Sequence, residues 1–227
     1  MIFLRERIGK LLRDLEGLIY TDETPVSGFR YVQSAEKFPD VSKVNTDDWA
    51  YCDRYPMSWG GHRAYYWFET FVTIPEEMDG QCVVYEQTTG KEDGWDATNP
   101  QFTIYVNNVL KQGLDINHRE VLLTEHAKAG ERYRIMLSAF TGDHNMNLVL
   151  DARIKVLHRE TEKYYYDLKM PYDTACLLRE SDTEYRDIIL NLNESLNLLD
   201  LRKPYSEAYE KSLKEAQDYL DQEFYER

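Results

Sequence analysis

Tyr65-Tyr66-Trp67-Phe68-Glu69-Thr70-Phe71-Val72-Thr73-Ile74 is the stretch on which the fold turns. Aromatic and β-branched residues suit a pleated, half-buried surface, and Pro75, which cannot donate to a sheet ladder, stops the run. Outward from it, short apolar runs recur without helical spacing. They are Cys82-Val83-Val84-Tyr85-Glu86, Phe102-Thr103-Ile104-Tyr105-Val106, Val109-Leu110-Lys111, Val121-Leu122-Leu123, Tyr133-Arg134-Ile135-Met136-Leu137 and the long run from Leu148 to Val156. Asn107-Asn108 divides two of these runs, and Asn tolerates the positive φ that a two-residue hairpin turn needs. Many short strands with no helix between them predict an antiparallel β-sandwich over 49–158.

On either side the period changes to that of a helix. Leu4, Ile8, Leu11, Leu12, Leu15 and Ile19 recur at steps of three and four, which predicts an amphipathic helix within 1–20 ending near Gly17. Residues 21–48 carry Pro25, Gly28, Pro39 and Asp47-Asp48 with little periodicity, and read as a connector that wraps over the next domain. In 159–227 the helical period returns. Ser181-Asp182-Thr183-Glu184 matches a capping box, followed by an apolar face of Tyr185, Ile188, Ile189, Leu192, Leu196 and Leu199. After Pro204, Ser206 is placed to cap a last helix with Tyr209, Leu213, Ala216, Leu220 and Phe224 on one face. That helix runs to Arg227 with no Gly or Pro stop, which reads as a chain cut within a larger architecture. The expected class is therefore mainly β with α: a sandwich flanked by an N-terminal helix and a C-terminal helical segment.

Composition narrows the partners. The 227 residues carry a formal net charge of −14 with no basic run, a poor match for phosphate backbones or anionic lipid. Eighteen tyrosines and four tryptophans suit instead a β-rich body that meets a neutral ligand such as a sugar, or a protein. Cys52, Cys82 and Cys176 are odd in number and far apart, without zinc spacing, so a reducing, cytoplasmic setting is expected. The first fifteen residues are too charged for a signal peptide, and no apolar run is long enough to span a bilayer.

Catalytic signatures are sparse. His118-Arg119-Glu120 and His158-Arg159-Glu160 lack the Pro-Cys-x-x-Cys segment of a zinc deaminase, and His62, His126 and His144 form no HExxH. Neither a G-x-S-x-G elbow nor a phosphate-cradling loop occurs. Cys82, within an apolar run, is expected to pack in the core. The candidate contacts are polar clusters. Trp95 lies among Asp93, Asp96 and Asn99 in a Gly-rich loop, where a ring face can stack on sugar C–H groups while carboxylate and amide meet hydroxyls. The same residues also suit a structured loop whose Asp and Asn bond their own backbone. Asp115, Asn117, His118 and Arg119 form a second cluster between two strands, which could line the same edge or make interdomain salt bridges. Trp59, before Gly60-Gly61-His62, suggests a contact loop or plain packing.

These segments also carry a family resemblance. Trp67-Phe68-Glu69 with Phe71-Val72-Thr73-Ile74-Pro75-Glu76, then Tyr105-Val106-Asn107 and Gly113-Leu114-Asp115, resemble the galactose-binding-like jelly-roll domains attached to many glycosidases. Gly94-Trp95-Asp96-Ala97-Thr98-Asn99-Pro100-Gln101-Phe102 and Leu114-Asp115-Ile116-Asn117-His118-Arg119-Glu120-Val121 look like the N-terminal region of bacterial, cytosolic-type α-mannosidases of glycoside hydrolase family 38. Tyr165-Tyr166-Asp167-Leu168-Lys169-Met170-Pro171-Tyr172-Asp173 and Leu196-Asn197-Leu198-Leu199-Asp200-Leu201-Arg202 do so as well. The resemblance implies a parent enzyme that hydrolyses α-mannosides through zinc and an Asp nucleophile in a barrel introduced by His-x-Asp. This chain contains no His-x-Asp, so the resemblance assigns no catalytic, cofactor or metal residue here and expects the zinc in a missing catalytic domain.

Three functions follow for testing. The leading one is an inactive accessory domain docked to the catalytic barrel of the same polypeptide, with an exposed apolar surface that favours self-association. The alternative is a stand-alone carbohydrate-binding module that takes a mannoside, and the third is a complete small enzyme. Neither nucleic acid nor membrane is an expected partner.

Overall fold

A computed structural model describes residues 2–38, 40–91 and 100–226. The chain is mainly β, with antiparallel sheets forming a β-sandwich and helices before and after it in sequence. It divides into two compact units, residues 22–156 and residues 1–21 with 157–227.

The strand-rich unit is built from Tyr20–Val26 (β1), Phe29–Gln33 (β2), Ala50–Cys52 (β3), Met57–Gly61 (β4), Tyr65–Thr73 (β5), Val83–Thr88 (β6), Gln101–Val106 (β7), Val109–Leu114 (β8), Glu120–Thr124 (β9), Arg132–Phe140 (β10) and Met146–Leu157 (β11). Among the described residues one sheet runs β3-β2-β5-β10-β7-β8. The other runs β1-β11-β6-β9, with β4 on the first half of β11 from Met146 to Leu150. Period-two alternation decides which side chains go inside. In β5, Phe68 and Val72 point into the core while Tyr65, Trp67, Glu69 and Phe71 share the opposite face. Ile135, Leu137 and Ala139 of β10 join the core and meet Tyr85, Leu148, Leu150, Ile154 and Val156 of the other sheet. Asn107 and Asn108 have φ of 50° and 69°, which places both turn residues of the β7–β8 hairpin in the left-handed region, as expected from their type.

The segment expected as a connector over 21–48 holds two strands, β1 and β2. β1 has a mostly polar sequence and contains Pro25; it ends the path of its sheet, a position where a missing N–H is tolerated. Cys82 also differs from its expected place. It precedes β6, is half-buried, and its Sγ lies 3.6 Å from Glu125 Oε2.

The helical unit contains Ile2–Glu16 (α1), Arg159–Ala175 (α2), Thr183–Leu198 (α3) and Glu207–Leu220 (α4). Ile8, Leu12 and Leu15 of α1, Tyr164 and Leu168 of α2, Tyr185, Ile189 and Leu192 of α3, and Tyr209, Leu213 and Ala216 of α4 are buried. Several of its buried hydroxyls are paired: Tyr164 Oη lies 2.8 Å from Ser195 Oγ, which donates to Ala216 O at 2.8 Å, and Thr161 Oγ1 lies 3.0 Å from Tyr209 Oη, whereas the buried Tyr185 hydroxyl has no hydrogen-bond partner among the described residues. Ser206 caps α4 by accepting from Tyr209 N–H. The expected Ser181 box does not form. Asp182 occupies the cap of α3 and spends its side chain on Arg179 N–H instead. Among the described residues no helix is long and apolar enough to cross a membrane.

Candidate functional site

The outer face of the six-stranded sheet is partly covered and partly open. Phe38, Val41, Val44 and Trp49, from the segment between β2 and β3, pack on Trp67, Met136 and Tyr105. The Phe38 and Trp67 rings lie 4.9 Å apart, and Trp67 Nε1 donates to Glu36 O at 2.9 Å. A buried ion pair fastens this strap. Arg134 Nε donates to Glu69 Oε1 at 2.6 Å, with side-chain exposures of 16% and 4%. Thr46 Oγ1 donates to Glu69 Oε2 at 2.5 Å. Arg134 also donates to Val41 O at 3.2 Å and Val44 O at 3.3 Å, while Arg30 donates to Thr46 O at 2.9 Å. Burial of the two charges is thus compensated by mutual attraction and by hydrogen bonds to the strap's own backbone.

To one side of the strap the sheet forms an open depression of about 590 Å³. Tyr65 and Phe140 are direct partners across β5 and β10, and their rings stack at 4.6 Å with a 28° interplanar angle. Gln101 is Phe140's partner on β7, and Ser138, Thr103 and Gly113 are aligned in the next row across β10, β7 and β8. Tyr65 is 47% exposed, so a large ring meets solvent beside amide and hydroxyl groups.

The turn after β8 supplies the polar rim. Asp115 Oδ1 accepts from the backbone N–H of Asn117 at 2.8 Å and of His118 at 2.9 Å, and lies 3.0 Å from His118 Nδ1. These bonds stabilise the charged carboxylate, and the Asn117 N–H first among them holds the Asp115 pKa below its ordinary value. In a neutral imidazole with Nδ1 as the donor, Nε2 of His118 is an acceptor.

The sequence candidates therefore separate. Asp115 and His118 line the depression, whereas Asn117 and Arg119 do not. Arg119 Nε donates to Ile116 O at 2.9 Å and so helps hold the turn. Trp59 is 8% exposed and sits inside the sandwich, with its ring edge-on to Phe68 at 5.1 Å and to Tyr66 at 5.2 Å; it is a core residue and offers no stacking surface. Trp95, Asp96 and Asn99 lie outside the described residues. Tyr65, Phe140, Gln101, Thr103 and Ser138 were not singled out from the sequence. Strand alternation places Tyr65 on the face opposite Phe68, but which outer positions stay uncovered depends on where the strap crosses. Among the described residues no three His, Cys, Asp or Glu side chains are grouped to hold a metal ion.

No family model matches the chain, and no curated protein matches it. Similar solved structures include a β-glucuronidase from Ruminococcus gnavus in complex with N1-substituted uronic isofagomine, at 11% identity and a TM-score of 0.43, covering 61% of this chain and 30% of that one. A Faecalibacterium prausnitzii β-glucuronidase matches at 12% identity and a TM-score of 0.41, covering 60% of this chain and 32% of that one. A Bacteroides uniformis β-glucuronidase matches at 11% identity and a TM-score of 0.42, covering 59% of this chain and 18% of that one. The chain thus spans less than a third of the length of these structures, and a likeness this distant carries no argument about activity. The family 38 α-mannosidase resemblance is corrected: no family model supports it, and the similar solved structures named above are β-glucuronidases.

Proposed function

We propose that this chain is a non-catalytic carbohydrate-binding accessory module, and that its sugar site is the open half of the six-stranded sheet. The observation that carries this reading is the Tyr65–Phe140 stack set beside Gln101, Thr103, Ser138, Asp115 and His118 in one depression. A pyranose has C–H groups on one face and hydroxyls around its rim. Its face gains from an aromatic surface, and its rim gains from carboxylate, amide and hydroxyl partners. The site is shallow and its ring platform neutral, which favours recognition of an uncharged saccharide without bond cleavage.

Isothermal titration of the full chain with a panel of neutral hexose oligomers tests this. Saturable binding is expected with at least one, at about millimolar strength, the equivalent of roughly 4 kcal/mol. Tyr65→Ala is expected to weaken it about fivefold, since loss of one stacking ring costs on the order of 1 kcal/mol. Binding that is unchanged in Tyr65→Ala, or absent across the panel, contradicts the reading.

A further inference from the structure

On the other side of the strap the same sheet face forms a second depression, of about 450 Å³, and its chemistry is different. Arg30 of β2 faces Tyr51 across β3 and Glu69 across β5, and all three line it with Asp47, Phe71 and Arg132. Both oxygens of Glu69 are committed, to Arg134 and to Thr46. Arg30 spends one N–H on Thr46 O and meets Asp47 at a long 3.4 Å, with Asp47 80% exposed. The Arg132 side chain has neither ion pair nor hydrogen bond among the described residues; its guanidinium carbon lies 3.9 Å from the centre of the Phe71 ring. Two guanidiniums therefore share a concavity with one solvent-screened carboxylate, Asp47, which Arg30 meets only at 3.4 Å, in a chain whose net charge is −14.

We propose that this depression binds a small organic carboxylate. A guanidinium presents parallel N–H donors in the geometry of a carboxylate, and two of them around one concavity can share its oxygens. The exposed rings of Tyr51 and Phe71 flank the space that the body of such a ligand would fill, which favours a flat or apolar body over a bare ion. Asp47 opposes binding through like charge and tunes it downward. The site is separate from the Tyr65 depression and stands or falls without it.

The test is an NMR titration of the full chain at low ionic strength with benzoate, benzamide and acetate. Benzoate is expected to saturate at about millimolar concentration, shifting the side-chain resonances of Arg30 and Arg132 and the ring of Phe71. Benzamide, equal in shape but uncharged, is expected to leave them in place, and acetate to bind several-fold more weakly. Arg132→Gln should weaken benzoate about tenfold, the loss of one charge-assisted contact. Asp47→Asn should tighten it several-fold, an outcome that a misfolded variant cannot give. Tyr65→Ala should leave benzoate binding unchanged. No saturation by benzoate, equal shifts with benzamide, equal affinity for acetate, or an Arg132→Gln chain that binds as well as the original would each overturn the proposal.

Discussion

Replacing Glu69 with alanine leaves the Arg134 guanidinium under the strap without its counter-charge. Removal of one partner from a buried ion pair costs about 3–5 kcal/mol, because the remaining charge keeps its desolvation penalty. Arg134 retains neutral acceptors at Val41 O, Val44 O and Asn108 Oδ1, and 16% of its side chain reaches solvent. The lower end, about 3 kcal/mol, is therefore expected. At roughly 2–4 °C per kcal/mol for a chain of this length, the midpoint should fall by about 6–12 °C. All four tryptophans, Trp49, Trp59, Trp67 and Trp95, lie within residues 22–156, so tryptophan fluorescence follows the unfolding of that unit alone. Arg63→Ala is the control. Its pair with Asp143 is exposed at 66% and 70%, and its loss should cost less than about 1 kcal/mol. Joining Glu69→Leu with Arg134→Met should recover most of the lost stability, since no buried charge is then stranded. A cost for Glu69→Ala within the range of the Arg63 control would refute the claim that this pair fastens the strap.

Further outcomes follow from the same structure. Phe68→Ala should cost about 3–5 kcal/mol in urea denaturation, because Phe68 is fully buried between the sheets, whereas exposed Phe71 should cost less than about 1 kcal/mol. Gly60→Ala should be severely destabilising by the same measurement, since φ is +140° and a Cβ there would sit 2.1 Å from Met146 O. Asp200 should titrate at about 2, held down by the Arg202 side chain, which donates to it at 2.9 and 2.6 Å, and by the Arg202 N–H. A folded-state pKa below the unfolded value stabilises above the unfolded pKa and is lost as pH falls through the folded one, so this contribution should vanish between about pH 4 and 2. In a carboxyl NMR titration, Arg202→Gln should return Asp200 toward the ordinary range of about 3.9.

The parts of the fold legible in sequence are those where one local rule dominates. The Tyr65–Thr73 strand, the Asn107-Asn108 hairpin, the end of α1 at Glu16 before Gly17, and the Ser206 cap all appear where residue type and spacing place them. β1 was not legible because Thr21-Asp22-Glu23-Thr24-Pro25 is polar and becomes a strand through pairing with the distant β11. The box at Ser181 failed because Asp182 competes for the cap through its bond to Arg179 N–H. Of the site, Asp115 and His118 were visible as a polar cluster in a turn. The Tyr65–Phe140 stack was not, since it depends on a cross-strand register linking residues 75 positions apart. Trp59 drew notice as a Trp before two glycines, yet its contacts with Tyr66, Phe68 and Phe102 take its ring out of solvent.

The most direct test of a sugar site on the outer sheet face is a chemical-shift map of the full chain titrated with a neutral oligosaccharide. The expected shifts cluster on Tyr65, Gln101, Thr103, Asp115, His118 and Phe140 and spare the buried ring of Trp59. Saturable shifts confined to the helices or to the opposite sheet, with Tyr65 and Phe140 unmoved, would contradict it.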